Sequence, residues 1–511
     1  MRFPIQKTMK NKKKVLIVGG GPGGLAASML LAHRGFSVEL FEKNSVVGGR
    51  NAHIDLDGFK FDIGPTFLMM KFLLDNLFEQ VGLDINDYMK FIKLDPMYKL
   101  QFADKQILMS SNREKTKAEI ERVFPGLSKG YDKFMSKEEA RFKRLLPCLQ
   151  KDYPTLISLM SKRNIKALPY LSLGQSVFDV LKSYFQNDDL SLLFSFQSKY
   201  LGMSAWDCPG GFSMLSYIEH AYGVYHVMGG LSEISASMAK AAQSLGANFH
   251  LNTPVKQLIV KGKKVIGVET EDEKIFADEV IVNADFAYAM DKLVPKNTLK
   301  KYTPKKLEKM KYSCSTFMLY LCLDKIFPSE HHTIVFAKNY KKNVDDVFKN
   351  ETLSDDFSFY VRNASVNDPS LAPKNQSSLY VLVPVPNCDA QVDWETTQHH
   401  YRNLVLDMIE ERMQFKNLRQ HIINERIFTP NTWEQDLNVY KGATFNLSHN
   451  LGQLAYFRPR NKFEEFDQCY IVGGGTHPGS GLPTILQSSI IASNLISKKH
   501  NINYICEELT A

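Results

Sequence analysis

The chain has little cysteine, and what it has is dispersed. Cys148, Cys208, Cys314, Cys322, Cys388, Cys469 and Cys506 are odd in number and include no C-x-x-C spacing. That argues against a disulfide framework or a zinc site and for a reducing compartment. No run of about eighteen apolar residues occurs, so no membrane-spanning helix is expected. The basic N-terminus lacks a following apolar segment and small-residue cleavage site, so no secretory signal is expected either. Positive charge is not gathered into a long block, and the formal net charge of +8 is modest. Its densest cluster, Lys7, Lys10, Lys12, Lys13 and Lys14, reads as a solvated tail or as a weak attractor for anionic lipid headgroups. No nucleic-acid-binding module accompanies the charge, so nucleic acid is not an expected partner. The pairs His331-His332 and His399-His400 have no third ligand at a sensible spacing, and neighbours in a strand point to opposite faces, so no metal is expected.

What is present is organised around Lys14 to Arg50. Val15 to Val18 is a short β-branched run suited to a buried parallel strand. Gly19, Gly21 and Gly24 follow at G-x-G-x-x-G spacing: one for the tight turn, one for backbone approach to a pyrophosphate, one for helix packing. A helix from about Gly23 to Arg34 presents its N-terminal N–H groups to the phosphates and stops at Gly35. A second strand, Ser37 to Phe41, ends at Glu42, an acid placed to bind both hydroxyls of an unphosphorylated ribose. Strand, glycines, helix, strand and acid together predict a dinucleotide site. Gly48, Gly49 and Arg50 come after a short gap.

The remaining chain reads in alternating blocks. Ala52 to Leu56 and Phe59 to Ile63 flank an Asp57-Gly58 turn, and Gly64-Pro65-Thr66 follows. Helical spacing covers Lys71 to Val81, and Tyr131 to Leu146 is a helix expected to halt before Pro147. Between Leu156 and Leu171 apolar residues are interrupted by Lys162, Arg163 and Lys166. This is either a segment lying in a membrane interface with its cations reaching the headgroups, or an amphipathic cap over a cavity. From Gly229 regular order returns, with a helix to Leu245, a meander over Val255 to Phe276, and a strand, Val280 to Val282, entering Asn283-Ala284-Asp285. Ser315 to Leu323, His332 to Phe336, Phe357 to Arg362 and Ser378 to Pro384 are strands of an antiparallel sheet. Near the end, Tyr470 to Val472 feeds Gly473-Gly474-Gly475 and Thr476-His477-Pro478-Gly479-Ser480-Gly481, and a helix begins at Leu482-Pro483.

The Gly48-Gly49-Arg50 placement resembles the large flavoprotein group that includes amine oxidases and carotenoid desaturases. The V-G-G-G turn followed by THPGSGLP resembles, more specifically, the bacterial and fungal type of phytoene desaturase. Tyr312 to Tyr320, His331 to Ile334, Asp368 to Pro373, Val383 to Pro386, Thr429-Pro430 and Phe457 to Pro459 agree, so the resemblance runs from about Lys14 to Lys498. It implies an α/β fold: a discontinuous Rossmann-like FAD-binding domain of amine-oxidase/GDI-like architecture, with an α+β substrate domain and a helical, membrane-facing region. The expected divisions are a basic tail (1–13), FAD-binding parts at 14–70, 229–295 and 466–500, a helical region at 71–228, a substrate domain at 296–465 and a tail at 501–511.

The resemblance also implies a chemistry, the stepwise desaturation of a long polyisoprenoid such as phytoene or a C30 analogue. No side chain accepts hydride, so FAD carries that step, with oxygen or a membrane quinone as final acceptor. The enzyme is expected in the cytoplasm, peripherally associated with the cell membrane. Gly19, Gly21, Gly24, Glu42, Lys43, Gly49, Arg50, Gly64, Pro65, Val255, Gly475, Thr476, Leu482 and Pro483 carry over as cofactor-binding. Asp62 is either a loop cap or part of the flavin wall. His477 is the nominal proton acceptor. A non-redox carotenoid isomerase, or another FAD oxidase of the same architecture, is the alternative.

Overall fold

The computed structural model describes residues 12–102, 104–504 and 509. Lys7, Lys10 and Cys506 lie outside them. Two sheets dominate. The first is five-stranded and wholly parallel, ordered Cys469–Ile471, Glu279–Val282, Lys14–Val18, Ser37–Phe41 and Asn248–His250. Its strands come from the beginning, middle and end of the chain, as the expected return to the nucleotide sheet requires. The central strand is apolar on both faces because both are covered. The helix Pro22–His33 leaves that strand through the glycine turn. Ten of its twelve residues are buried, with no polar stripe. It is packed between the helices Ser232–Ser244 and Leu482–Lys499, so no side of it needs to face water.

The second sheet has seven strands, ordered Ile422–Phe428, Ser315–Leu323, Ser377–Val385, Phe359–Asn363, His332–Val335, Tyr98–Phe102 and Lys105–Met109. Neighbours are antiparallel except His332–Val335 with Tyr98–Phe102, which run parallel. The period of two sorts the faces. Phe317, Leu319, Leu321, Val381 and Val383 pack beneath the helix Trp394–Met413. Met318, Tyr320, Tyr360 and Tyr380 face the helical region between 128 and 222.

Three features differ from the sequence reading. Tyr98–Met109 extends the substrate sheet, an alliance with residues more than 200 positions later that local pattern does not reveal. Ile422–Phe428 is an edge strand of mixed polarity, so it shows no clean alternation. The helix Ser128–Leu149 runs through Pro147 rather than stopping before it. The proline falls in the last turn, where its missing N–H costs one terminal bond.

Candidate functional site

The glycine turn behaves as its spacing predicts. Gly19 has φ +100°, and a Cβ on Gly24 would fall 2.3 Å from the Gly19 carbonyl oxygen. The third glycine therefore permits helix and strand to touch. Gly21 ends the strand side of the helix with φ −72° and no side-chain cap. The Asn283 side-chain amide donates to the Gly19 and Gly21 carbonyls at 3.0 and 3.2 Å, which clamps the turn. Gly49, at φ +54°, faces Gly21 across a gap: its Cβ would lie 3.6 Å from Gly21 Cα. The result is a cradle walled by backbone, with helix N–H groups directed into it, which fits a pyrophosphate.

Glu42 is buried and oriented by two backbone donors. Gly20 N–H reaches one carboxylate oxygen at 2.8 Å, and Asn44 N–H the other at 2.9 Å. The remaining lone pairs can accept ribose hydroxyls. Thr253 N–H donates to the Glu42 carbonyl, which lays the Pro254-Val255 run beside this acid. Lys43 turns away and donates to the Asp436 carbonyl. Arg50 donates to the Thr444 carbonyl at 2.7 Å and pairs with Asp285 at 3.2 Å. Burial raises the Asp285 carboxyl despite that cation. Gly64 abuts the same arginine, its Cβ position lying 2.7 Å from the Arg50 carbonyl oxygen.

The second loop, Gly473 to Gly481, is held by a residue that sequence reasoning named only as part of a motif. The Arg458 guanidinium is fully buried, and among the described residues no carboxylate pairs with it. It donates to five carbonyls, those of Leu447, Ser448, Gln453, Gly474 and Thr476. Burial pushes it down to about 9. Gly475 is pressed against Phe286 and Asn446, and the Thr476 hydroxyl donates to the Pro459 carbonyl. The helix Leu482–Lys499 opens with Pro483 in its first turn and no side-chain cap, leaving N–H groups free for a ligand.

Between these loops and the second sheet lies a buried polar network. Asp62 accepts the N–H groups of Leu231 and Ser232 at the start of a helix, and pairs with Arg362 at 2.8 Å. It is therefore a helix cap and an ion-pair partner. Arg362 also contacts His226, which bonds Asp368 at 2.8 Å. Burial works against the Asp368 carboxylate, but hydrogen bonds from His226, Ser370 and Gly229 hold it well below the usual range. Burial pushes the His331 and His332 imidazoles well below their usual range. His332 meets the Tyr360 hydroxyl, which donates to Thr66. Tyr320 and Tyr380 donate to the Ile63 and Gly64 carbonyls. The sheet thus holds the Ile63 to Thr66 segment from beneath.

The sheet's inner face is not closed. Leu382 and Pro384, in a strand paired on both sides, keep accessible surface while Val381, Val383 and Val385 are buried. This accessible stretch, the hollow, adjoins an aromatic cluster: Leu382 is paired with Tyr360, whose ring is tilted against Phe67, and Phe67 is in turn stacked on His332 and tilted against Tyr200. His477 sits elsewhere. It is buried edge-on to Tyr153, 5.0 Å between ring centroids, and burial pushes its imidazole down to about 3. That environment suits packing of its loop rather than proton uptake.

A backbone cradle, a buried acid at the end of the second strand and a second glycine loop, set beside an aromatic cluster, fit a flavin oxidoreductase. The chain belongs to the family of flavin-containing amine oxidoreductases, whose family model matches residues 22–497. Its cofactor is FAD, and within the family it stands with the carotenoid desaturases. It is 52% identical over 97% of each chain to a 4,4'-diapophytoene desaturase (4,4'-diapolycopene-forming) of Methylomonas. It is 36% identical to an all-trans-zeta-carotene desaturase of Myxococcus xanthus, covering 95% of this chain and 94% of that protein. The fold is also that of putrescine oxidase (TM-score 0.63, 14% identity, 95% and 99% of the two chains) and of a Rab GDI from Plasmodium falciparum (TM-score 0.55, 12% identity, 97% and 99%).

Proposed function

We propose that this chain desaturates a C30 polyisoprenoid of the 4,4'-diapophytoene class, and that Gly19, Gly21, Gly24, Glu42, Gly49, Arg50, Gly64, Pro65, Val255, Gly475, Thr476, Leu482 and Pro483 hold its FAD. The reading is carried by the 52% identity, over nearly the whole length, to a diapophytoene desaturase. Bound FAD supplies the two-electron oxidation that no side chain can. The protein's part is position and dryness. The backbone cradle and Glu42 fix one end of the cofactor, Arg458 shapes the loop at the other, and Tyr320, Tyr360 and Tyr380 brace the segment between. The aromatic hollow excludes water and aligns the chain of the substrate.

Membrane contact belongs to the same proposal. Among the described residues no helix is long and apolar enough to cross a membrane. Yet Leu156, Ile157, Met160, Ile165, Leu168 and Leu173 are exposed, Ile157 at 78% and Met160 at 72%. Lys162 and Lys166 are exposed among them. An apolar surface carrying cations suits an anionic lipid interface, and Tyr153, three residues before Leu156, already touches His477 in the second FAD loop. A lipid-dissolved substrate would so arrive close to the flavin, with oxygen or a membrane quinone taking the electrons. The test is expression in cells that make diapophytoene, with pigments resolved by chromatography. New conjugated double bonds are expected. Unchanged diapophytoene, or isomers with no added double bond, would refute it.

A further inference from the structure

Lys199 occupies the turn Phe196–Leu201, which is bracketed by the two segments assigned to the flavin. Tyr200, the next residue, lies 5.6 Å from Phe67 between ring centroids, just past Gly64 to Thr66. Gly202 packs on Ser313 and Phe445 so closely that a Cβ would fall 2.4 Å from the Ser313 side chain. The Phe445 carbonyl accepts the Ser480 hydroxyl at 2.7 Å, and its neighbour Thr444 accepts Arg50. The Lys199 amine stands 4.8 Å from the centre of the Tyr340 ring, close to Cys314. Ser198, Leu201, Cys314 and Tyr340 around it are buried, yet Lys199 keeps accessible surface.

Among the described residues no carboxylate pairs with this amine. The groups facing it are neutral: burial pushes the Cys314 thiol up to about 12 and raises the Tyr340 and Tyr200 phenols. Glu219 lies beyond Tyr200, and Lys341 stands on the Trp206 ring that packs against Tyr340. An unpaired ammonium in such a place is disfavoured, and burial pushes Lys199 down to about 8. Near that pH a large share of the amine carries a free lone pair.

We propose that Lys199 opens on the hollow and takes the proton released in desaturation. The inference rests on the desaturase reading. One C–H bond of the substrate gives up its hydrogen with both electrons to the flavin, which is reduced. The neighbouring C–H bond gives its proton to the Lys199 lone pair, and that bond's electrons become the new C=C. The ammonium then releases its proton to solvent.

The test compares the full-length, FAD-loaded wild type with Lys199→Met and Lys199→Arg. Competitive acylation of lysines across pH, read by peptide mass spectrometry, is expected to give Lys199 a midpoint near 8. Desaturation by the wild type is expected to rise with pH through the same range. Both variants are expected to keep FAD and to react at least about 100-fold more slowly. A midpoint near that of surface lysines overturns the proposal. So does Lys199→Met with the wild-type rate and pH profile, or with its FAD lost. A wild type that forms no double bonds sinks the desaturase reading as well, whereas an active wild type with an unaffected variant sinks this inference alone.

Discussion

Gly21→Val separates cofactor binding from folding. The Gly21 backbone is extended, at φ −72° and ψ 172°, a conformation valine adopts freely. A Cβ there meets only the Asn283 amide nitrogen at 3.2 Å and the Gly48 carbonyl oxygen at 3.9 Å. The apo-protein should therefore fold, with its melting temperature lowered by no more than a few degrees. The added side chain instead fills the cradle between Gly21 and Gly49. If it displaces a phosphate from two backbone N–H groups, each worth about 1.5–3 kcal/mol as a bond to a charged group, affinity falls about 10²- to 10⁴-fold. Titration with FAD followed by flavin fluorescence, beside thermal unfolding of the apo-protein, measures both. Gly24→Ala is the control. Its Cβ would lie 2.3 Å from the Gly19 oxygen, so it should destabilise the fold itself by about 1–3 kcal/mol or more. A Gly21→Val protein that purifies with one tightly bound FAD would refute the reasoning.

Arg458→Met should cost about 3 kcal/mol or more in unfolding experiments, because buried carbonyls that its guanidinium serves lose their donor. Glu219, buried with Tyr98 and Gln197 on one oxygen, has its carboxyl pushed up to about 7 by burial. The folded protein then holds a proton that the unfolded chain releases near pH 4.5. Stability from this group is full below about 4.5 and is lost as pH rises to about 7, a change of about 3 kcal/mol. Glu219→Gln removes that dependence, so its melting temperature should rise relative to wild type between pH 5 and pH 8; a constant difference would contradict it. The double variant Ile157→Glu, Met160→Glu should weaken sedimentation with anionic vesicles at least tenfold while leaving FAD content unchanged.

The parts legible in the sequence are those whose reason is local. Gly19, Gly21, Gly24 and Glu42 announce themselves because turn geometry and strand period act within thirty residues. The buried strands Ser315–Leu323 and Ser377–Val385 show as long apolar runs for the same reason. What was hidden depends on distant partners. Asp62 could be read as a cap or a wall until Leu231, Ser232 and Arg362 closed around it. Arg458 looked like a motif letter, since a carbonyl nest has no side-chain signature. Asn283 ended a strand without revealing that its amide clamps the glycine turn. His477 drew attention as the titratable residue of its loop, but its neighbour Tyr153 comes from over 300 positions away. Lys199 carries no local pattern, and only its amine among buried neutral neighbours, with no carboxylate paired to it among the described residues, singles it out.

The most direct measurement mixes the purified, FAD-loaded protein with 4,4'-diapophytoene in lipid vesicles under anaerobic conditions and follows the visible spectrum. The flavin band should bleach as polyene absorbance grows, with one double bond gained per flavin reduced. A flavin that keeps its colour with the substrate present, or a purified protein that cannot be loaded with FAD at all, would contradict the account.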